Sequence, residues 1–156
     1  MNLILLGAPG TGKGTIASRL AKEMGFTHIA PGDMLRDEVR KGGVLGKKIK
    51  SILDAGTLVS DDIVNELIKG RVDRDNVFDG YPRTPVQAQA LDKLVNVDVV
   101  VLFDMDEKEI VERLKDRRVC PLCKAVYHLK NIVPKVAGIC DSCGAALIVR
   151  EDDKPD

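Results

Sequence analysis

The chain has 156 residues, of which 44% are hydrophobic and 31% are charged, a balance typical of a single soluble domain with a real core. Its 24 basic residues equal its 24 acidic residues, so no net field favours nucleic acid or an anionic membrane, and we expect neither as a partner. The apolar start, residues 1–6, is too short for a signal peptide or a membrane span, so we expect a cytoplasmic location. We also expect a monomer.

The first 30 residues combine a short apolar run, a glycine-rich segment and a helical pattern. Leu3–Leu6 predicts a buried strand, and Gly14–Met24 has apolar residues on one helical stripe.

Further strands are predicted at Thr27–Ala30, Val77–Asp79 and Val97–Phe103, and further helices at Asp33–Arg40, Leu45–Asp54, Asp61–Lys69 and Val86–Leu94. The alternation predicts an α/β fold, a parallel sheet with helices on both faces.

Four cysteines form two Cys-x-x-Cys pairs, Cys120 with Cys123 and Cys140 with Cys143. Thiolates at this spacing can close a tetrahedron around zinc and leave no open position, so a structural Zn²⁺ is predicted. A redox role would need only one pair, and a nucleic-acid-binding ribbon would need a basic and aromatic surface that this segment lacks. Because helical periodicity stops at Val119, we predict a compact β insert held by the metal.

A glycine-rich segment follows the first predicted strand. Residues 7–15 read Gly-Ala-Pro-Gly-Thr-Gly-Lys-Gly-Thr, where a strand passes into a helix. Glycines let backbone N–H groups surround an anion, the helix N-terminus adds positive potential, and Lys13 can reach the β- and γ-phosphates. A purely structural glycine turn is the alternative to the nucleotide phosphate site that we predict.

This loop resembles that of the nucleoside monophosphate kinases, Gly-x-Pro-Gly-x-Gly-Lys-Gly-Thr. Gly14 stands where generic phosphate loops have Ser or Thr, and Thr15 follows it. The resemblance implies that the loop binds ATP and that Thr15 lies near the metal and the phosphates. The loop residues assigned to ATP are Gly10, Gly12, Lys13, Gly14 and Thr15.

Two aspartates end predicted strands, and physical reasoning alone does not choose between Asp79 and Asp104 as the carboxylate that organises Mg²⁺. Asp79 begins the run Asp-Gly-Tyr-Pro-Arg at 79–83, which resembles a signature of the adenylate kinases. The resemblance assigns Mg²⁺, held through water, to Asp79 together with Thr15.

Other motifs resemble the AMP site of adenylate kinases. Residues 32–36 read Gly-Asp-Met-Leu-Arg, and residues 56–61 read Gly-Thr-Leu-Val-Ser-Asp. The resemblance implies that two arginines hold the acceptor phosphate bidentately and that a glutamine reads adenine. The residues assigned to AMP are Arg36, Leu58, Val59, Gly80, Arg83 and Gln87. Pro31 departs from the family's Thr or Ser, which leaves UMP or CMP as alternative acceptors.

The cysteine-bearing segment resembles the zinc lid of bacterial and archaeal adenylate kinases. By that match Arg113 lies against the donor adenine, Arg117 binds donor phosphates and Arg150 moves onto the transferring phosphoryl group. The aspartates at 152–153 would orient the lid arginines, and His128 would be a structural residue near the metal. A solvated helix end is the alternative for Arg117.

Together these motifs are similar to those of adenylate kinases, which transfer a phosphoryl group reversibly from Mg-ATP to AMP and give two ADP. The implied catalytic residues are Lys13, Arg36, Arg83, Arg117 and Arg150. The implied domains are an incomplete phosphate-loop core at 1–29 and 57–118, a monophosphate-binding insert at 30–56 and a zinc-binding lid at 119–153.

The resemblance also implies segments that have no counterpart in the chain. In the family, the Asp-Asp segment leads into a long return helix, a further strand and a loop for the donor adenine, and none of these can be mapped before Asp156. We therefore expect impaired turnover and an exposed apolar edge at Val97–Phe103. An inactive nucleotide-binding zinc module is the alternative function.

Overall fold

The computed structural model describes residues 1–55, 57–150 and 153. The chain divides into two compact units, one formed by residues 1–7 and 16–102 and the other by residues 8–15 and 103–156. The elements up to residue 103 are β1 (Asn2–Gly7), α1 (Lys13–Met24), β2 (Thr27–Ile29), α2 (Pro31–Lys41), α3 (Val44–Asp54), α4 (Asp61–Lys69), β3 (Asn76–Asp79), α5 (Pro85–Asp92) and β4 (Val99–Phe103). None of the helices in the described ranges has the length and apolar character that crossing a bilayer requires.

A four-stranded sheet with the order β2-β3-β1-β4 forms the centre of the first unit. Strand β3 pairs in parallel with β1 and with β2, and Phe78 lies opposite both Ile4 and Ile29. The prediction of a parallel sheet with helices on both faces is confirmed. Because parallel strands end at one edge, the carboxyl ends of β1, β2 and β3 lie together, which is where α/β proteins bind ligands.

The core of the first unit is aliphatic, with two aromatic rings. The strands bury apolar residues on both faces of the sheet, as parallel strands do, with Ile4 and Phe78 on one face and Leu5 and Val77 on the other. The cluster around Ile4 and Phe78 has the buried members Ile4, Ile29, Val64, Ile68, Phe78, Tyr81 and Leu91. Burial of these side chains fixes the helices against the sheet, and it therefore fixes the loops that leave the strand ends.

Pro31 is the first residue of helix α2. It is buried at the first position of the helix, after Ala30, whose side chain makes no capping bond. Proline suits this position because its fixed φ matches the helix and its missing N–H has no partner there in any helix. Helix α5, in contrast to α2, has a side-chain cap. The Thr84 hydroxyl accepts a hydrogen bond from the backbone N–H of Gln87 at 3.1 Å.

Strand β4 lies at one end of the strand order. The residues Val99 to Leu102 are each 40–69% exposed. The expectation of an exposed apolar edge is therefore confirmed. Such an edge can pair with other chains, and this makes it the place where aggregation is expected to start.

The second unit contains α6 (Glu107–Asp116), β5 (Arg117–Val119) and β6 (Val126–His128). Strands β5 and β6 pair in antiparallel fashion, with Val119 opposite Val126, so the predicted β insert is confirmed. Helix α6 is not among the predicted elements, and it begins at the side-chain cap that Asp106 provides to the Lys108 amide. It ends at Asp116, and Arg117 is its C-cap residue. The alternative of a solvated helix end is therefore correct in position but wrong in solvation, because the Arg117 side chain is only 14% exposed and pairs with Asp153.

Candidate functional site

The phosphate loop is shaped by glycines in the left-handed region. Gly10 has φ +85° and Gly12 has φ +99°, a conformation that other residues rarely adopt. A β-carbon at Gly10 would lie 3.1 Å from the side chain of Leu114. The loop therefore packs closely against helix α6, and only glycine fits at this position.

Lys13 is the first residue of α1 and reaches back over the loop. Its Nζ donates a hydrogen bond to the Ala8 carbonyl at 2.7 Å. The hydroxyl of the buried Thr11 donates to the same carbonyl at 2.8 Å. Gly14 and Thr15 follow within the first turn of α1. An ammonium group, a helix N-terminus and a curled backbone thus meet in one segment, which is the composition of a phosphate-binding site.

The two arginines assigned to the acceptor phosphate are held by residues of their own motifs. The Arg36 guanidinium donates to Asp33 Oδ1 at 2.7 Å. The Arg83 Nε donates to the Gly80 carbonyl at 2.7 Å. A β-carbon at Gly80, where φ is +67°, would lie 3.1 Å from the Arg83 guanidinium. Gly80 thus leaves room for the arginine to fold back over the backbone.

Gln87 is buried, with an exposed fraction of 6%, and both ends of its amide are bonded within the protein. Its Oε1 accepts a hydrogen bond from the Arg83 amide at 2.8 Å, and its Nε2 donates to Asp61 Oδ1 at 2.7 Å. The other carboxylate oxygen of Asp61 accepts from the Thr84 hydroxyl at 2.8 Å. Asp61 therefore ties the start of α4 to the segment that carries Arg83. We call Asp61, Arg83, Thr84 and Gln87 the Gln87 network.

The two apolar residues assigned to the acceptor base differ in environment. Leu58 is 95% exposed, whereas Val59 packs against the core of the first unit. The structure thus leaves Leu58 accessible to a ligand and fixes its neighbour.

Asp79 lies at the carboxyl end of β3, with its side chain 16% exposed. His28, near the end of the neighbouring strand β2, places its Nε2 at 3.3 Å from Asp79 Oδ2. A half-buried carboxylate at this edge of the sheet supplies the oxygen donor that Mg²⁺ prefers.

The lid arginines have carboxylate partners. Arg117, in β5, donates from Nε to Asp153 Oδ2 at 2.7 Å and makes a second contact through its guanidinium. Asp153 therefore contacts one of the arginines that it was expected to orient, and Asp152 lies outside the described residues. Arg113, on α6, pairs with Glu109 at 2.7 Å. Arg150 is half-buried, and its carbonyl accepts from the Asp153 amide at 3.1 Å.

The four cysteines converge in the second unit. Their Sγ atoms all lie within 4.8 Å of one another, and the Cys120–Cys143 and Cys123–Cys140 separations are both 3.4 Å. Four thiolates at about 2.3 Å from a zinc ion form a tetrahedron with edges of about 3.8 Å. The observed cluster fits that size, and all four cysteines are free thiols. These residues are therefore suited to hold Zn²⁺.

The thiols differ in acidity because their surroundings differ. A hydrogen bond from the Tyr127 hydroxyl lowers the pKa of Cys140 to about 6. Burial raises the pKa of Cys123 to about 12. Without a cation, only some of the four thiols ionise readily, because neighbouring thiolates repel one another. The Nδ1 of His128 accepts a hydrogen bond from the Lys130 amide at 3.2 Å.

Three residues at these sites have no role in the sequence analysis. In the sequence, Asp61 stands out only as part of the 56–61 motif and His28 only as part of the predicted strand at 27–30, and Tyr127 carries no signal. Their partners Gln87, Cys140 and Asp79 lie 26, 13 and 51 residues away in the chain. Sequence separation of this kind hides a pair unless many related sequences are aligned.

Comparison with known proteins gives a consistent result. The family model described as adenylate kinase matches residues 5–155. The chain is 45% identical to an adenylate kinase of Treponema denticola, with 99% of this chain and 76% of that protein covered. It is 48% identical to one of Anaeromyxobacter dehalogenans, with 100% and 78% covered. It is 49% identical to one of Petrotoga mobilis, with 99% and 75% covered. The chain belongs to the adenylate kinase family.

Proposed function

We propose that the chain catalyses reversible phosphoryl transfer from Mg-ATP to AMP, giving two molecules of ADP. The phosphate loop carries this proposal, because two glycines with positive φ shape it and Lys13 begins the helix that follows. Such a loop binds a polyphosphate. The name that the relatives share, and the two arginines Arg36 and Arg83, support a second phosphate-bearing substrate as acceptor.

The transfer needs no covalent intermediate. An oxygen of the acceptor phosphate attacks the γ-phosphorus while the bond from that phosphorus to the β–γ bridging oxygen breaks. We propose that the cationic side chains neutralise the charge on the moving group and align the two phosphates, which is where such enzymes obtain most of their rate. The proposed catalytic residues are Lys13, Arg36, Arg83, Arg117 and Arg150.

The two nucleotides divide the remaining residues between them. For ATP, the proposal uses the loop amides from Gly10 to Thr15, with Arg113 against the adenine. For AMP, it uses Leu58, Val59 and Gly80, with Gln87 reading the base. Gln87 is bonded to Arg83 and Asp61, so reading adenine would require its amide to leave a partner. Holding the Arg83 backbone is its second proposed contribution.

Two metals enter the proposal in different roles. Mg²⁺ bound with ATP would neutralise the β- and γ-phosphates, and Asp79 and Thr15 would hold it through water. Zn²⁺ on the four cysteines would be structural, because a closed set of thiolates has no open position for a substrate. Asp79 and the cysteines supply the oxygen and sulfur donors that these two ions respectively prefer.

We further propose that the chain acts as a cytoplasmic monomer, with 30–56 forming the monophosphate-binding insert and 119–153 forming the lid. The lid would exclude water from the phosphates, so that ATP is not hydrolysed. Arg117, which directly precedes the lid, donates a hydrogen bond to Asp153 at its far end, and this bond supports a preorganised contribution from Arg117.

The test is ADP formation from ATP and AMP with Mg²⁺, followed by phosphorus NMR on protein of verified mass. ADP that depends on AMP would support the proposal, whereas ADP formed equally without AMP would indicate an ATPase. Binding of both nucleotides without turnover would favour an inactive nucleotide-binding module. Repeating the assay with UMP and CMP tests which monophosphate is the acceptor. This test is needed because Pro31 replaces the Thr or Ser that the family has at this position.

Lys13→Met provides the matched test of the loop. The change removes the ammonium group and keeps the length of the side chain, so we expect turnover to fall by at least about 10³-fold, the scale of a lost transition-state cation. Helix α1 should persist, because Met is a good helix former. Retained turnover in a folded variant would rule out the role proposed for Lys13.

A further inference from the structure

Tyr127 joins the two halves of the cysteine cluster. It lies on β6, close in the chain to Cys120 and Cys123, and it is 5% exposed. Its hydroxyl lies 3.5 Å from the Sγ of Cys140, in the other half. The same hydroxyl accepts a hydrogen bond from the Asp141 amide at 2.8 Å. One side chain therefore contacts both the thiol and the backbone of the second cysteine pair.

The direction of the hydroxyl–sulfur bond follows from chemistry. A cysteine that ligates a metal is a thiolate and has no proton to give. The phenol oxygen already accepts from Asp141, and its own proton remains available to donate. In the metal-loaded protein the phenol is therefore the donor and Cys140 is the acceptor.

Such a bond changes the properties of a metal-bound thiolate. It draws electron density from the sulfur, which reduces repulsion among four thiolates around one ion and makes the sulfur a poorer nucleophile. It also holds the sulfur in place before the metal arrives. Around Tyr127, the ring packs with Cys120 and Cys140 in a small buried cluster, so water does not compete for the bond.

We propose that Tyr127 is a positioning residue of the metal site, which holds the second cysteine pair in register with the first and slows both metal release and attack on Cys140. The inference rests on the proposed zinc site and goes beyond it, because it assigns metal retention to a residue that is not a ligand. Partners of ligands commonly change metal affinity by about 10- to 100-fold when they are removed.

The first test compares Tyr127→Phe with the unaltered chain. Phenylalanine keeps the buried ring and removes only the hydroxyl. Zinc content is measured first, and then the rate of zinc transfer to a colorimetric chelator and the rate of thiol alkylation. We expect about tenfold faster transfer or more, with faster alkylation at Cys140 located by mass spectrometry. Tyr81→Phe is the matched control, since Tyr81 is also buried but bonds Asn65 at 2.7 Å rather than a cysteine.

The second test separates the bond to the Cys140 sulfur from the bond to the Asp141 amide, because only the first changes the electrons of a metal-bound sulfur. In the cobalt-substituted protein, loss of a donor to sulfur raises the energy of the sulfur electrons, so the sulfur-to-cobalt absorption should move to longer wavelength in Tyr127→Phe. The chain has two tyrosines, so fluorinated tyrosine incorporated into the Tyr81→Phe variant replaces Tyr127 alone. Fluorination strengthens the phenol as a donor, and the absorption should then move to shorter wavelength.

The outcomes are distinguishable. Opposite shifts in the two proteins, with faster zinc transfer in Tyr127→Phe, would establish the role. An unaltered chain that binds no zinc would overturn the metal site and this inference together. A zinc-loaded chain in which Tyr127→Phe changes neither the transfer rate nor the absorption would overturn the role of Tyr127 alone. Faster transfer without a spectral shift in either protein would show that the hydroxyl acts through the Asp141 amide alone, and it would overturn the proposed bond to the Cys140 sulfur. If Tyr127→Phe does not fold, the fluorinated protein still decides the question.

Discussion

The Gln87 network and the cysteine cluster show two ways of holding polar atoms in a protein interior. In the network, the donors of Gln87, Thr84 and the Arg83 amide each face an oxygen at 2.7–2.8 Å. In the cluster, four sulfur atoms lie within 4.8 Å of one another. If all four were thiolates, they would repel one another strongly. The first arrangement is complete in itself, whereas the second requires a cation.

This difference predicts which conditions affect each region. Hydrogen-bonded networks lose stability when one partner is removed, because the other is left buried without a partner. Among the described residues, no buried side-chain nitrogen or oxygen lacks a partner. A metal cluster instead responds to chelators and to the loss of any one ligand, since its binding free energy is part of its folding free energy.

The largest effect is expected from Cys120→Ser. Loss of one thiolate should abolish zinc binding and unfold the β5–β6 region, because structural zinc contributes on the order of 10 kcal/mol to small sites of this kind. Amide hydrogen exchange should rise throughout residues 117–148, while the first unit keeps its protection. Zinc content by mass spectrometry and exchange by NMR provide the measurements. Ser142→Ala, an exposed change between the cysteines of the second pair, is the control, and zinc retained at full stoichiometry in Cys120→Ser would contradict the four-ligand site.

The second-largest effect is expected from Gly46→Ala, which tests how closely helices α2 and α3 pack in the first unit. A β-carbon at Gly46 would lie 2.0 Å from the Glu38 carbonyl oxygen, so helices α2 and α3 would have to separate. We expect the free energy of unfolding to fall by about 3 kcal/mol, the upper range for overpacking. Gly43→Ala is the control, because nothing lies within 4 Å of its β-carbon. Equal denaturant midpoints for the two variants would contradict the close packing of these helices.

The third effect concerns the Gln87 network itself. Asp61→Ala leaves the buried Gln87 amide and the Thr84 hydroxyl without their acceptor, so we expect a loss of about 2 kcal/mol in stability. Arg83 should lose its support, and the KM for AMP should rise about tenfold, which corresponds to about 1.4 kcal/mol. Asp62→Ala removes an adjacent exposed carboxylate from the same helix start and serves as the control. A stability loss with an unchanged KM would show the network to be purely structural.

The smallest effect is a pH dependence within the second unit. The Lys130 ammonium lies 2.7 Å from Asp116 Oδ2, and this hydrogen bond lowers the pKa of Asp116 below its ordinary value of 3.8. The pair therefore contributes stability above that value, and the contribution is lost as the pH falls through the lowered pKa. In Lys130→Gln the pKa of Asp116 should rise, which an NMR titration can follow. Lys135→Gln is the control, because it changes the net charge equally and should leave the pKa of Asp116 at its lowered value.

Several features follow from the sequence alone because they depend on near neighbours in the chain. The helix at Asp61–Lys69 has the predicted bounds, since its apolar period and its acidic first turn are local properties. The phosphate loop is predicted for the same reason, because Gly10 and Gly12 are needed at fixed offsets before a helix. The cysteine spacing likewise predicts the metal site without knowledge of the fold.

Other features were decided only by the tertiary structure. The resemblance to adenylate kinases marks Gln87 as a residue that reads a base, but its burial and its bond to Asp61 arise from the packing of α4 against α5. The sequence allowed Arg117 to be a solvated residue at a helix end, and the structure places its side chain against Asp153. Tyr127 meets Cys140 because two distant turns fold around one buried cluster. A sequence thus determined the local chemistry of this protein, while long-range packing decided which groups became partners, because a hydrogen bond requires two groups to meet within about 3 Å.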